Sequence, residues 1–228
     1  MSLHKIIHIN ENTTAYFWHI TEDVTSLFRA VSLRDTSLFR LEGMKSEEHQ
    51  KGFLAVRMLL QHLGYTDYDL TYDEAGKPHL EGKRQKAKGK SEHNIHHPSS
   101  ITKHISISHS HEFSCICISN KLMGIDLEKL KEKTLKIAPR FMEVKHLENL
   151  STLVQIEKAT VIWGVKESIF KIKNEKGISF PEHIFEDEFC FSDGKCSAEL
   201  HFNNTIEKFN IQFYKVEDYI FVCAFPNK

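Results

Sequence analysis

The sequence predicts an α+β protein of two similar lobes related by a pseudo-two-fold axis, each with antiparallel strands packed on a long helix. Both halves of the 228-residue chain run from a helical pattern into a cluster of alternating strands. The segment 111–118 resembles 218–225, since each has a polar lead followed by a short, cysteine-containing apolar strand. We therefore expect an N-terminal α+β lobe of residues 1–122, a C-terminal α+β lobe of residues 123–228, and a cleft between them.

The N-terminal lobe is predicted to open with two strands and to contain one long helix. Ser46 is the expected N-cap of this helix, Glu47 and Glu48 place acidic groups in its first turn, and Gly64 ends it. The predicted segments are strands 5–9 and 14–20, helices 24–31 and 46–63, strand 68–72, turn 73–78, and strands 104–108 and 112–119 joined by a turn at 108–111.

The C-terminal lobe is predicted to open with a strand and to contain the longest helix of the chain. Ile156, Ala159, Trp163 and Phe170 mark a core-facing stripe on this helix. The predicted segments are a strand carrying residues 123–128, helix 134–142 interrupted at Pro139, helix 151–173, strands 186–191, 196–202, 208–216 and 219–225, and a turn at 192–195.

Two carboxylates share a face of the strand that opens the second lobe. Asp126 and Glu128 alternate along it and therefore project together, and a hard divalent cation between them would relieve their repulsion. Gly124 leaves room for a ligand or another backbone to approach. The alternative is a strand that runs out into the charged, solvated stretch 128–133. No neighbouring cation is evident in the local sequence.

Glu167 and Lys171 lie four residues apart on the long helix and share one helical face. Either they act together in a site, or they form an exposed salt bridge of little energetic consequence. We further expect Asp126, at a strand end of one lobe, to meet Glu167 on the main helix of the other.

Composition narrows the class of protein. The hydrophobic share of 40%, the charged share of 27% and the net charge of −1 are typical of a globular protein without a global nucleic-acid or membrane field. The odd number of cysteines and the lack of a Cys-x-x-Cys pair predict reduced thiols in a cytoplasmic protein.

Residues 81–100 are rich in Lys, His, Gly and Ser and predict a loop. A nucleic-acid contact is a weaker interpretation of this loop than a solvated insertion, because no aromatic residues interleave the basic ones. Several nearby histidines raise the question of zinc, but their spacing matches no standard zinc pattern. These are His93, His96, His97, His104, His109 and His111.

Four separated blocks point to one family: Gly76–Pro78, Ile107–Ser110, Gly124–Glu128 and Trp163–Lys171. Their order and spacing resemble the motifs of the 4'-phosphopantetheinyl transferases, specifically the larger single-chain class that activates peptide and polyketide synthetases. The resemblance extends from about residue 46 to residue 180 and agrees with the two-lobe prediction.

The resemblance implies a reaction. The phosphopantetheine arm of coenzyme A, the co-substrate, is moved onto a serine of an apo acyl or peptidyl carrier protein, and adenosine 3',5'-bisphosphate is released. It also implies Mg²⁺ as the cofactor, a monomeric enzyme, and neither a nucleic-acid nor a membrane partner.

The resemblance also assigns site residues. Asp126, Glu128 and Glu167 would hold Mg²⁺, and Glu167 is in addition a candidate base for the carrier serine. Catalysis is assigned to Glu167 together with Lys171, which would offset charge on the pyrophosphate. Coenzyme A would be bound by Arg57, Lys77, Pro78, Ser108, His109 and Lys171.

The chain departs from the family pattern at two places. Ser106 replaces a common asparagine, and His146 stands near where many members have a glutamate. The contact to the 3'-phosphate is left open between Lys45 and Lys51.

Two other functions remain: a non-catalytic module that binds coenzyme A or a carrier protein, and a divalent-metal phosphohydrolase that uses water instead of serine. The full set of carboxylates with Lys171 argues against the first alternative. A requirement for a protein acceptor would separate the second from a transferase.

Overall fold

The computed structural model describes residues 3–81 and 103–227. The predicted loop at 81–100, with His93, His96 and His97, lies outside the described residues except for Glu81. The first half contains β1 (Leu3–Asn10), β2 (Thr13–His19), α1 (Val24–Ala30), α2 (Asp35–Glu42), α3 (Glu47–His62), β3 (Leu70–Tyr72), β4 (Pro78–Leu80), β5 (His104–Ser110) and β6 (Phe113–Ser119). The second contains β7 (Gly124–Lys129), α4 (Lys133–Ile137), α5 (Thr152–Lys173), α6 (Phe180–His183), β8 (Ile184–Glu186), β9 (Lys195–Phe202), β10 (Thr205–Val216) and β11 (Tyr219–Pro226).

The strands form two main antiparallel sheets. One has the order β1-β2-β6-β5 and the other β7-β11-β10-β9-β8, while β3 and β4 form a separate pair. This arrangement confirms an α+β protein with antiparallel sheets. The pseudo-two-fold relation between the halves and the boundary at residues 122 and 123 stay predictions.

The two sheets pack face to face between helices. Alternate residues of both sheets build a shared core, in which the rings of Phe17 and Phe221 lie 5.1 Å apart. The opposite face of the first sheet packs on α1 and α3, and that of the second sheet packs on α5. The central strands β6 and β11 are therefore buried on both faces along most of their length, whereas β1, β9 and the first half of β10 keep exposed residues.

The helix ends largely follow the sequence. Ser46 caps α3 by accepting a hydrogen bond from the His49 amide, at 3.4 Å. Asp23 caps α1 in the same way through the Ser26 amide, at 2.7 Å. Helix α2 was not predicted, and only Ser37 and Leu41 of its residues are buried, which leaves a weak apolar pattern.

Four predicted segments were wrong in extent. The helix predicted at 134–142 ends at Ile137, and residues 138–140 form a 3-10 turn. The strand predicted at 186–191 lies earlier, at Ile184–Glu186, and residues 191–193 form a 3-10 turn. The strand predicted at 68–72 begins only at Leu70. The turn predicted at 108–111 starts later, because β5 continues through Ser110 and His111 adopts a left-handed φ of 48°. His109 is therefore a strand residue.

Two glycines allow α5 to lie against the second sheet. A Cβ on Gly124 would come within 2.0 Å of the Ser168 carbonyl oxygen, and one on Gly164 within 2.5 Å of Val222 Cγ2. The expectation that Gly124 admits another backbone is confirmed. The close approach brings the side chains of α5 to the face of β7 that carries the carboxylates.

All five cysteines are free, and Cys115, Cys117 and Cys223 are buried. None of the helices in residues 3–81 and 103–227 is both long and apolar enough to cross a bilayer.

Candidate active site

Asp126 lies in the middle of β7, where it faces α5. Its Oδ1 atom accepts hydrogen bonds from Lys171 Nζ at 2.8 Å and Ser108 Oγ at 3.0 Å. Its Oδ2 atom is buried and has no hydrogen-bond partner in the described part of the chain. One oxygen of this buried carboxylate is therefore fixed, and the other is left for a ligand.

Lys171 is the cation of this site. Besides Asp126, its ammonium donates to the Ile125 carbonyl oxygen at 3.0 Å and to Ser108 Oγ at 3.3 Å. The expectation that no cation lies beside the β7 carboxylates was wrong, because Lys171 comes from 45 residues away. The alternative of an exposed salt bridge with Glu167 was also wrong, since Lys171 pairs with a buried carboxylate.

Glu128 and Glu167 complete an acidic cluster around Asp126. Burial and then the charge of Asp126 raise the pKa of Glu128 from its ordinary 4.5 to about 7. The same two causes raise the pKa of Glu167, and Lys171 opposes them. Asp126 and Glu167 both lie in the second half of the chain, on β7 and α5, so the prediction that they face each other from different lobes was wrong.

The cluster suits a hard divalent cation in its chemistry. Carboxylate oxygens are the ligands that Mg²⁺ prefers, and the orphaned Oδ2 of Asp126 fits such a ligand. Within residues 3–81 and 103–227, however, no three His, Cys, Asp or Glu side chains stand ready to hold a metal. The ligand set of Asp126, Glu128 and Glu167 stays a prediction.

A cavity of about 410 Å³ lies next to Lys171 and has a strongly basic lining. The first half of the chain supplies most of it, and Met123, Lys171 and Asn174 come from the second half. Apolar and aromatic walls are formed by Phe53, Tyr72, Pro78, Ile105 and Ile107. The basic side chains that line it are Arg40, His49, Arg57, Lys77, His109 and Lys171.

His109 and Lys77 are held at this cavity by contacts with helices. A Cβ on Gly52 would lie 2.8 Å from His109 Nδ1, so the glycine admits the imidazole against α3. Burial, followed by the charges of His49 and Lys171, lowers the pKa of His109. Lys77 donates to the Ile172 carbonyl oxygen near the end of α5, at 2.8 Å, and burial lowers its pKa. An anion in the cavity would favour the protonated form of both groups.

The Arg57 guanidinium makes hydrogen bonds within the protein. Its Nε donates to Asp67 Oδ1 at 3.0 Å, and its Nη1 donates to the Phe53 carbonyl oxygen at 3.2 Å. The Nη2 atom is buried and has no partner among residues 3–81 and 103–227. The two N–H groups of Nη2 are thus left for a ligand.

Sequence analysis missed Arg40 and His49. Arg40 comes from the unpredicted helix α2, and its guanidinium lies 5.1 Å from the ring centroid of Tyr72. His49 lies in the first turn of α3. Polar side chains are common in the first turn of solvent-exposed helices, so the sequence gives no signal that this histidine lines a cavity. Of the two lysines considered for the 3'-phosphate, Lys51 pairs with Glu47 at 3.0 Å.

Comparison with known proteins gives the same family as the motifs. A 4'-phosphopantetheinyl transferase of Bacillus subtilis is 34% identical over 100 residues, covering 42% of this chain and 44% of that protein. One of Aneurinibacillus migulanus is 35% identical over 85 residues, covering 36% and 35%. These matches support the resemblance of the chain to the 4'-phosphopantetheinyl transferase superfamily. No protein-family model matches the chain.

The matches to these transferases span less than half the length of the relatives. Most of the site residues that the transferase motifs assigned fall into two adjoining groups. Arg57, Lys77, Pro78 and His109 line the cavity, whereas Asp126, Glu128 and Glu167 form the acidic cluster. Lys171 belongs to both groups, and Ser108 contacts the carboxylate of Asp126 and the ammonium of Lys171.

Another motif residue lies elsewhere. Lys166 is buried on α5 and pairs with Glu186 at 2.7 Å. It therefore secures α5 against β8 and is not part of the basic cavity.

Proposed function

We propose that the protein transfers the 4'-phosphopantetheine arm of coenzyme A to a serine of an apo acyl or peptidyl carrier protein. The observation that carries the proposal is that Lys171 lines a basic cavity and that its ammonium also contacts Asp126 in the acidic cluster. A ligand with several phosphates and an adenine ring requires such cations together with aromatic walls.

The cations of the cavity would bind the nucleotide end of coenzyme A. Arg40, His49, Lys77 and His109 would contact its phosphates, and Tyr72 and Pro78 offer flat surfaces for the base. The pyrophosphate would then extend toward Lys171. Mg²⁺ held by Asp126, Glu128 and Glu167 would neutralise the pyrophosphate under attack.

The transfer step breaks one phosphorus–oxygen bond and forms another. The carrier serine oxygen attacks the phosphorus that bears pantetheine, and adenosine 3',5'-bisphosphate leaves. Glu167, whose pKa is raised, would accept the serine proton directly or through water. Lys171 would stabilise the negative charge that develops on the leaving bisphosphate.

The proposal includes a monomer that acts in the cytoplasm on coenzyme A and a carrier protein, without nucleic acid or membrane. It also includes a pseudo-two-fold relation between the first sheet with α3 and the second sheet with α5.

The test is incubation with coenzyme A, Mg²⁺ and a panel of apo carrier proteins, read by the intact mass of each carrier. Glu167→Gln should nearly abolish the modification, and excess Mg²⁺ should restore only part of it. Glu157→Gln is the matched control, because Glu157 lies on the same helix and pairs with exposed Lys215 at 2.6 Å.

Two results would contradict the proposed transferase activity. Coenzyme A binding without modification of any carrier would indicate a binding module. Release of phosphopantetheine in the absence of a carrier would indicate a phosphohydrolase.

A further inference from the structure

Three serine side chains join the edges of the two main sheets. Strands β5 and β7 belong to different sheets, yet Ser106, Ser108 and Ser110 accept the amide hydrogens of β7. The donors are the amides of Ile125, Leu127 and Lys129, at 3.0, 3.1 and 3.4 Å. In each pair the donor lies 19 residues after the serine.

This arrangement fixes the direction of the serine hydroxyls. Each oxygen already accepts an amide hydrogen, so the single hydroxyl hydrogen is left to donate elsewhere. Ser108 donates to Asp126 Oδ1 at 3.0 Å, and Ser110 donates to Glu128 Oε2 at 3.1 Å. Both acceptors lie 18 residues after the donating serine.

The same register gives Ser106 no carboxylate. The residue 18 positions after it is Gly124, which has no side chain. Ser106 therefore shares the amide contact of the other two serines, but a carboxylate contact is made only by Ser108 and Ser110. Ser106 is therefore the matched control for Ser108 and Ser110.

We infer that Ser108 and Ser110 are positioning residues for the acidic cluster, and that each holds one oxygen of its carboxylate in place. At Asp126, the hydrogen bonds from Ser108 and Lys171 both go to Oδ1, so Oδ2 is the oxygen that can bind a ligand. Two like charges on one strand face would otherwise turn apart. The inference rests on the proposed function for the nature of the ligand, a hard divalent cation.

The test uses Mn²⁺ as the probe, with free Mn²⁺ measured by electron paramagnetic resonance, both with and without coenzyme A. Loss of a group that orients a metal ligand typically weakens metal binding about 10- to 100-fold. We expect a loss of this size in Ser108→Ala, a smaller loss in Ser110→Ala, and less than about a twofold change in Ser106→Ala. Ser108→Thr, which keeps the hydroxyl, should recover most of the affinity.

Thermal unfolding in EDTA separates positioning from general damage. All three alanine variants lose the acceptor of one amide, and Ser108→Ala and Ser110→Ala also lose a hydrogen bond to a carboxylate, so their midpoints should fall further than that of Ser106→Ala. A single cooperative transition well above the temperature of the Mn²⁺ measurement shows that each variant is folded during it. Equal Mn²⁺ affinity in Ser108→Ala and Ser106→Ala would overturn the inference, and so would wild-type protein that takes up no Mn²⁺ in either condition.

The outcome is distinct from that of the proposed function. If Ser108→Ala selectively loses Mn²⁺ and the wild type modifies no carrier, positioning stands and the transferase is overturned. If the wild type modifies a carrier and both variants bind Mn²⁺ equally, positioning alone is overturned.

Discussion

The ammonium of Lys171 lies 2.8 Å from Asp126 Oδ1, which places a cation from α5 on a carboxylate of β7. The Asp126 side chain is only 5% exposed, and one of its oxygens is hydrogen-bonded by this partner and by the Ser108 hydroxyl. Lys171 also lines the basic cavity. The same ammonium therefore both stabilises the free protein and faces the proposed pyrophosphate.

Lys171→Ala should lower both activity and stability. Loss of one preorganised charged contact typically reduces the rate about 100- to 1,000-fold. In EDTA the free energy of unfolding should fall by about 1–3 kcal/mol, because a buried acceptor loses its donor. Added Mg²⁺ should recover part of the stability by replacing the ammonium. Carrier modification by intact mass and thermal unfolding with and without Mg²⁺ measure these effects.

Lys173→Ala is the control for this variant. Lys173 is on the same helix but pairs with Glu207 at 2.6 Å and Glu175 at 3.3 Å. It should keep nearly wild-type modification. Near-wild-type modification by Lys171→Ala would remove Lys171 from catalysis.

Asp126→Ala should abolish Mg²⁺-dependent transfer and also destabilise the protein, because Lys171 then loses its partner. Combining it with Lys171→Ala should cost less stability than the sum of the two single changes. We expect a coupling energy of about 1–3 kcal/mol from urea unfolding of the four proteins. Additive effects would show that the ion pair contributes nothing, and normal turnover of Asp126→Ala in EDTA-treated, Mg²⁺-supplemented assays would exclude it as a metal ligand.

Glu128 should make stability fall as pH rises in EDTA. Its pKa is about 7 in the folded protein against 4.5 ordinarily, so the unfolded chain releases its proton first. The stability contribution is complete below pH 4.5 and is lost as pH rises through 7. Glu128→Gln should remove this slope and stabilise the protein at pH 8 by about 1–3 kcal/mol, since one pKa unit corresponds to about 1.4 kcal/mol.

The control for this titration is Glu112→Gln. Hydrogen bonds from Tyr219 and Lys129 lower the pKa of Glu112 to about 2, so its contribution is lost only as pH falls toward that value. Its replacement should leave the slope between pH 5 and 8 unchanged. Urea unfolding across that range gives both slopes, and an unaltered slope in Glu128→Gln would contradict the assignment.

Gly124→Ala should destabilise the protein by about 3 kcal/mol or more, because the new Cβ would lie 2.0 Å from the Ser168 carbonyl oxygen and overpack β7 against α5. Gly43→Ala is the control, since its Cβ would meet atoms no closer than 3.6 Å. Denaturant unfolding compares the two. A loss in Gly124→Ala no larger than in Gly43→Ala would mean that α5 can move away from β7 at little cost.

Elements with strong local signals are predictable from the sequence alone. The cap at Ser46, the long helix α5 and the alternating strand β7 follow from hydrogen-bonding and periodicity rules that act within a few residues. The shared face of Asp126 and Glu128 is likewise a property of any strand. The motifs also carry the resemblance to the 4'-phosphopantetheinyl transferases, because their residue types and order are local information.

Only the tertiary structure decided which side chains meet. Lys171 reaches Asp126 because Gly124 and Gly164 let α5 lie against the second sheet, and this contact joins residues that are 45 positions apart in the chain. Arg40 and His49 enter the basic cavity through the packing of α2 and α3 on the first sheet, and Ser108 reaches Asp126 through the register of two sheet edges. These contacts join residues distant in the chain, so they depend on how sheets and helices pack and not on the local pattern of any one segment.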